Sequence, residues 1–326
     1  MRVSVVIITK DEQPRLRLSL IALNRQTVEW QSDAEVIIVD DGSHVPVGTA
    51  EIPQGPLQPR LIRHDESKGR SASRNAGAAL ARGRRLLFLD GDVLMSPRSV
   101  ELHAQLRDDE LGRGEQHHLR STRFFRDPRT GEPWPGKEQR VKSLGRLDAQ
   151  IVTEQMVSEA PYEQLLQRSE VAIYPGAAPR RLYELEMSAL RAGTVPLAQW
   201  LAASGHNFSI PTAAFLAAGG FPLDISINEH RELALRLCRD GAKLVVVEGA
   251  ISLHLTHREG YRDPMKGEDD WQQAFARRHP YETELMMRFW RSLAGDATLD
   301  LTERLPTLES VEQLLQQRAA ADGKAA

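Results

Sequence analysis

One cysteine, Cys238, stands in the 326 residues, so neither an intramolecular disulfide nor a cysteine-based zinc site can form. Its helical neighbours Leu233, Leu235 and Leu237 mark it as a small buried hydrophobe. No apolar run reaches the roughly eighteen residues expected of a membrane-spanning helix, and the chain enters a strand at Val3 without a leader-like stretch before it. A soluble, cytoplasmic protein is expected, with peripheral contact to a membrane left open. Charge of one sign is not in excess: the net charge of -3 gives no general reason to expect nucleic acid as a partner. No internal repeat is present. No Gly-x-Gly-x-x-Gly follows the first strand, which disfavours a dinucleotide-dependent oxidoreductase. An apolar fraction of 41% still supplies the core of one large α/β domain with elaborations, or of two smaller domains.

What the chain does have is a series of apolar strands that end in acids. Arg84 to Leu89 runs into Asp90-Gly91-Asp92. In open α/β sheets ligands bind at the carboxyl ends of the strands, and a hard divalent cation takes carboxylate oxygens there. Gly91 keeps the space between the two acids clear. By itself Asp-Gly is an ordinary turn dipeptide. The same pattern recurs, however: Val3 to Thr9 ends in Lys10-Asp11-Glu12, and Ala34 to Val39 ends in Asp40-Asp41-Gly42-Ser43. Three strands deliver acid to one edge, which a turn alone does not explain.

Between these landmarks, Leu16, Leu20 and Leu23 space a helix that buries one face, and Pro14 fits its first turn. Residues 44–59 read as loop, and Arg60–Arg63 as a short strand. Ser67 to Ala81 reads as a small-residue helix opened by a glycine loop, with Arg74 able to offer a planar fork to a phosphate or base. Ser96 and Pro97 are expected to start the next helix. Strand, helix, strand, strand, helix, strand, helix is the order of a doubly wound sheet. From 111 to 146 basic residues outnumber acids and Phe124, Phe125 and Trp134 are interleaved, as in a lid over an anionic substrate or a solvated insertion. Leu147 to Ala172 reads as helical. Further on, a helix over Thr212–Ala218 closes at Gly219-Gly220, and Asn228-Glu229-His230-Arg231-Glu232 opens an amphipathic helix. A strand over Lys243–Glu248 precedes His254 and His257, and Asp269 to Leu293 is expected to be helical.

Taken in order, these motifs resemble the family-two glycosyltransferases with the GT-A fold. Val36 to Ser43 matches the family's Val-Asp-Asp-Gly-Ser signature. Gly69, Arg74, Asn75 and Gly77 match its Ala-Arg-Asn-x-Gly helix, and Asp90-Gly91-Asp92 falls at its Asp-x-Asp motif. The opening strand with Thr9 and Asp11 is similar to the family's Pro-Thr-Tyr-Asn end, with Ile8 and Lys10 replacing the usual Pro and Tyr. Asn207, Gly219-Gly220-Phe221 and the Glu229 to Leu237 helix resemble its second half, except that His230 stands where the catalytic aspartate is expected. The resemblance implies a Rossmann-like, doubly wound mixed sheet with helices on both faces, a helical insertion and a helical C-terminal segment. Its divisions are a donor-binding half at 1–110, an insertion at 111–200 that serves as lid or acceptor side, an acceptor and catalytic half at 201–260, and a helical extension at 261–326.

The resemblance also implies the chemistry. Transfer of a sugar from a nucleoside-diphosphate sugar to an acceptor hydroxyl, with inversion, is expected, UDP being favoured over GDP or dTDP. The acceptor is a glycan, a lipid-linked sugar or a small molecule. Thr9, Asp11, Asp41, Arg74, Asp90 and Gly91 would bind the nucleotide sugar. Asp92, Asp90 and His254 would hold Mn2+ or Mg2+. His230 or Glu229 would take the acceptor proton. The substitution at 230 keeps a second reading in place, a sugar-nucleotide-binding protein with little or no transfer activity.

Overall fold

The structure is a computed structural model that describes residues 1–120, 152–171, 177–256 and 268–323. Eight strands are β1 (Val3–Thr9), β2 (Ala34–Asp40), β3 (Arg60–Arg63), β4 (Arg85–Asp90), β5 (Val93–Met95), β6 (Glu110–Arg120), β7 (Phe208–Pro211) and β8 (Lys243–Thr256). They form one sheet in the order β3-β2-β1-β4-β7-β6-β8-β5. The first four are mutually parallel. β7 runs antiparallel to both β4 and β6, β6 is parallel to β8, and β5 is antiparallel to β8. This is the mixed, doubly wound sheet expected from the motifs.

All seven residues of β1 and of β2 are buried, which is why these strands read as continuous apolar runs rather than alternating ones. Successive side chains point to opposite faces. Val5 and Ile7 join a core with Leu16, Leu20 and Leu23 of α1 (Gln13–Asn24), while Val6 enters the larger core on the other face with Phe88 and Trp200. α2 (Arg70–Ala79) lies on that second face. A Cβ on its Gly77 would come 2.5 Å from Val6 Cγ1, so the glycine sets how closely helix and sheet approach.

The remaining helices among the described residues are α3 (Ser99–Ala104), α4 (Glu154–Ser158), α5 (Tyr162–Leu166), α6 (Ala177–Ala192), α7 (Thr212–Ala217), α8 (Glu229–Arg239), α9 (Glu268–Arg278), α10 (Pro280–Ala294) and α11 (Leu308–Ala321). α3 starts at Ser99, two residues beyond the expected Pro97, because Ser96 is spent on the preceding turn: its carbonyl accepts from Ser99 N at 3.0 Å. The stretch expected to be one helix from Asp269 to Leu293 breaks at His279-Pro280, as the missing N-H and the ring of an interior proline require. Trp271, Phe275, Leu285, Met286, Phe289 and Leu308 of α9 to α11 share one core with Phe88, Ile210 and Leu233. The C-terminal helices are therefore part of the main body.

One boundary needs correction. The expected insertion opens at 111, yet residues 111–120 belong to β6, between β7 and β8 in the sheet. The strand is masked in sequence by its polar side chains and two glycines, each with a local cause. A Cβ on Gly112 would collide with Leu106, and one on Gly114 with the Asn207 amide. Arg113 is buried against Glu186 of α6 at 2.7 Å. The β6–β8 register shifts between Gly114 and Glu115, and Asn207 fills that bulge, donating to Ala250 O at 2.9 Å and Glu115 O at 3.1 Å. The basic run at 121–146, with Phe124, Phe125 and Trp134, lies outside the described residues, as does His257. Of the span 147–172 expected to be helical, 152–171 is described and holds two short helices, α4 and α5.

Asn207 is itself held by His103 of α3, whose Nε2 lies 2.9 Å from Asn207 Oδ1 and whose Nδ1 lies 2.8 Å from Ser209 Oγ. Burial pushes this imidazole down to about 4. In the unfolded chain it titrates near 6.5, so the unfolded state binds the extra proton as pH falls from about 6.5 to 4, and the stability tied to the neutral ring is lost across that window. The loss is about 3 kcal/mol. In His103→Gln, urea unfolding followed against pH is expected to show a shallower decline over this window; an unchanged slope would mean that the ring is not buried neutral.

Candidate active site

Backbone pairing sets the site. Thr9 is level with Asp40, and Ile8 with Asp90. The ladders continue past the strand ends, Asp41 N donating to Thr9 O at 2.9 Å and Gly91 N to Ile8 O at 3.0 Å. The acids after β1, β2 and β4 are thus brought to one edge. Val93 to Met95 then pairs with β8, placing Val93 opposite His254, while β6 puts His118 opposite His254 from the other side. His254, far along the chain, is delivered to the same edge by register alone.

Asp92 is buried, and its Oδ2 lies 3.3 Å from His254 Nε2. Burial by itself would lower the His254 pKa, but Asp92, Asp90 and Glu12 raise it. Glu12 is the acid that sequence reasoning passes over. Its carboxyl is pushed up to about 7 by burial first and the charge of Asp92 next, with Arg15 working in the opposite direction. The space at Gly91, expected to be clear, is closed by neighbours: a Cβ there would meet Glu12 Oε1 at 2.5 Å and Thr9 Oγ1 at 2.9 Å. Glu12, Asp90 and Asp92 therefore crowd negative charge around a glycine. Among the described residues, no group of three or more His, Cys, Asp or Glu side chains is arranged to hold a metal by itself. Arg74, His254 and Arg15 offset part of that negative charge, and a donor set of carboxylates and an imidazole is chemically of the kind a hard divalent cation takes.

Two further histidines border this cluster. His206 stacks on His254 with ring centroids 5.6 Å apart, and its Nδ1 is 3.8 Å from Asp90 Oδ2. Burial holds His206 neutral, its pKa down to about 4. His118 meets His254 edge to face at 5.3 Å. Neither carries a sequence signal beyond a lone histidine in a polar stretch.

Arg74 is placed differently from the expected phosphate or base contact. It is 1% exposed, and it spans two carboxylates: Nη2 donates to Asp90 Oδ1 at 2.9 Å and Nη1 to Glu229 Oε1 at 2.5 Å. Its guanidinium carbon sits 5.6 Å over the Phe221 ring. Arg74 thereby joins the β4 acids to the first turn of α8. Glu229 is fully buried. Burial raises its pKa, but His230 and Arg74 outweigh that and hold the carboxyl well below the usual range. Its Oε2 has no hydrogen-bond partner among the described residues. His230 Nδ1 lies 3.7 Å from Glu229 Oε1, and burial lowers the ring pKa to about 4. Gly205 packs over both, a Cβ there lying 3.5 Å from His230 Nδ1 and 3.6 Å from Arg74 Nη2.

The remaining expected residues organise loops. Asp41 Oδ1 accepts from Lys68 N at 2.8 Å and lies 2.9 Å from His64 Nδ1. Its Oδ2 accepts from Ser67 Oγ at 2.8 Å and Gly69 N at 3.0 Å. Those bonds outweigh burial and hold the Asp41 carboxyl well below its ordinary pKa. Asp11, in the left-handed region at φ 52°, binds His44 through both carboxylate oxygens, and its N-H donates to Ser43 Oγ. Thr9 Oγ1 is buried without a hydrogen-bond partner among the described residues. The structure brings Arg74, Asp90, Asp92, Glu229, His230 and His254 together and gives Asp11 and Asp41 to the surrounding turns.

Residues 4–112 match the family model described as Glycosyl transferase family 2. The chain is 32% identical over 109 residues to the uncharacterized glycosyltransferase YwdF of Bacillus subtilis, covering 32% of this chain and 38% of that protein. It is 34% identical over 98 residues to an uncharacterized glycosyltransferase of Haemophilus influenzae, covering 30% and 32% respectively. The match spans about a third of the length of these curated relatives. Among solved structures, S. aureus TarS is similar with a TM-score of 0.52 at 14% identity, over 93% of this chain and 46% of TarS. The TarS 1-349 complex with UDP-GlcNAc is similar with a TM-score of 0.51 at 16% identity, over 98% of this chain and 73% of that one. Residues 4–112 are thus similar to glycosyl transferase family 2, and the likeness to TarS is one of fold. No helix among the described residues is long and apolar enough to cross a membrane.

Proposed function

We propose that the protein transfers a sugar from a nucleoside-diphosphate sugar, UDP-linked, to an acceptor hydroxyl with inversion at the anomeric carbon, using Mn2+ or Mg2+. The observation that carries this reading is the single edge at which Asp90, Asp92 and His254 converge, joined by Arg74 to the start of α8. Asp92, with Asp90 and His254, would hold the cation, whose charge offsets that of the diphosphate leaving group. Thr9, with its uncommitted hydroxyl, faces the nucleotide, and Asp11 and Asp41 shape its pocket through the turns they fasten. Gly91 lets Glu12 and Thr9 close in on the strand end, where a side chain would collide with both. The 229–230 pair receives the acceptor proton. The fold-level likeness to TarS, crystallised with UDP-GlcNAc, supports UDP as the first nucleotide to try.

A second reading, a sugar-nucleotide-binding protein with degenerate transfer, is favoured by one observation: the residue at the usual base position is a neutral, buried histidine. Both readings require a donor site. Thermal unfolding with UDP or UDP-GlcNAc and Mn2+ is expected to show stabilisation of about 2.7 kcal/mol at a hundredfold excess over Kd, reduced by chelator. UDP release from UDP-GlcNAc then separates enzyme from binder. No shift with any nucleoside diphosphate or nucleotide sugar would defeat both readings.

A further inference from the structure

We infer that Glu229 is the catalytic base and that Arg231 makes it so, by fixing the tautomer of His230. The inference deepens the transferase reading and rests on it for the chemistry, but the tautomer stands or falls alone. Arg231 Nη1 lies 3.1 Å from His230 Nε2. A guanidinium only donates, so Nε2 must be the accepting, unprotonated nitrogen, and in a neutral imidazole the proton then sits on Nδ1. Arg231 cannot swing away cheaply. Its Nε donates to Leu201 O at 2.8 Å, its Nη1 to Asn228 Oδ1 at 2.7 Å and its Nη2 to Glu186 Oε1 at 3.4 Å, and its guanidinium lies 5.3 Å over the Trp290 ring. Glu186 is in turn held by Arg113 of β6.

The charged groups acting on His230 are Glu229 and Arg231 from α8 and Arg74 from α2; the 203–207 loop contributes Gly205 to its surroundings. With Nε2 engaged and Nδ1 protonated beside Glu229, the imidazole has no free lone pair for an acceptor. Glu229 does: its Oε1 is engaged by Arg74, and its Oε2 is buried without a partner among the described residues, a state that costs free energy until a donor arrives. An acceptor hydroxyl is such a donor. Its O-H bond breaks as the proton passes to Glu229 Oε2, and its oxygen bonds to the anomeric carbon. The bond from that carbon to the diphosphate oxygen breaks, and the electron pair leaves with the nucleotide. His230 and Arg231 are positioning residues in this scheme.

The test reads His230 directly in the full-length protein, using 15N-histidine labelling and long-range 1H-15N correlation at pH 7, with His230→Gln to assign its signals. Protonated Nδ1 with bare Nε2 is expected, as is a shift towards the Nε2-protonated form in Arg231→Met. A wild-type ring protonated on Nε2 overturns the inference whatever the protein binds. Catalysis is read as UDP release from UDP-GlcNAc with water as acceptor. Glu229→Gln is expected to slow it at least about a hundredfold and His230→Gln by less than about tenfold; the reverse order makes His230 the base. Should Glu229→Gln fail to fold, Glu229→Asp keeps a charge opposite Arg74 while withdrawing the oxygen, and the same hundredfold loss is expected. Turnover that survives both substitutions, or its absence in a wild type that binds UDP, overturns the role of Glu229. Failure to bind UDP or any nucleotide sugar instead overturns the donor reading.

Discussion

Arg74→Met is expected to lower the free energy of unfolding by about 3–5 kcal/mol, the cost of leaving a buried charge without its partner. Glu229 is 1% exposed and has no other cation in hydrogen-bond contact among the described residues, and Asp90 loses its bond to the guanidinium at the same time. Methionine preserves much of the packing against Phe221, so charge rather than volume dominates the change. Chemical denaturation at pH 7 measures the loss. The double variant Arg74→Met with Glu229→Gln is expected to lose less than the sum of the single variants, because the orphaned carboxylate is then gone. In the wild type Glu229 is held below its unfolded pKa, so its contribution is present above about 4.5 and fades as pH falls. The gap between wild type and Arg74→Met is therefore expected to narrow on acidification. A loss below about 1 kcal/mol at pH 7 would show that the pair is exchanged with solvent and is not a buried bridge.

Asp92→Ala is expected to abolish the Mn2+-dependent part of the UDP stabilisation and to slow UDP release from UDP-GlcNAc by about a thousandfold or more, since a metal's stabilisation of a leaving group is worth several kcal/mol. In chelator the expected direction differs. Asp92 is the largest charge acting to raise the Glu12 pKa, so its removal relieves a repulsion between buried carboxylates while costing the His254 contact. Stability without metal should change little against the loss of ligand response. Parallel melts of the two proteins, with Mn2+ plus UDP and with chelator, separate these effects. An Asp92→Ala protein that still responds to UDP only in the presence of Mn2+ would remove Asp92 from the metal site.

How much of this was legible beforehand depended on whether a residue's neighbours lay nearby in sequence. β1, β2 and β4 are buried on both faces, so their apolar runs and terminal acids could be read directly, and the glycine between Asp90 and Asp92 marked a place where a side chain would not fit. β6 could not be read, because Arg113, Gly114 and Gln116 answer to Glu186, Asn207 and Ser204, none of which is near in sequence. The two carboxylate partners of Arg74 could not be read from sequence, because a buried carboxylate pair and a phosphate call for the same side chain. Glu12 was read only as one of the acids after β1, because an acid after a strand looks like surface until Gly91 lets it approach Asp92. The hold of Arg231 on the neighbouring imidazole depends on a rotamer fixed by Leu201, Glu186 and Trp290, which lie far away in the chain.

The Arg74–Glu229 bridge also has a kinetic side. Its two residues are 155 apart in the chain, so closing it demands a large loss of chain entropy before any reward is returned. Strands β1 to β4 can pair early through local crossovers and give Arg74 one partner, Asp90, but its buried partner Glu229 arrives only when α8 docks. Completion of the site is thus coupled to the late arrival of the second half, and a chain interrupted between β4 and α8 would leave Arg74 with Asp90 alone of its two carboxylate partners.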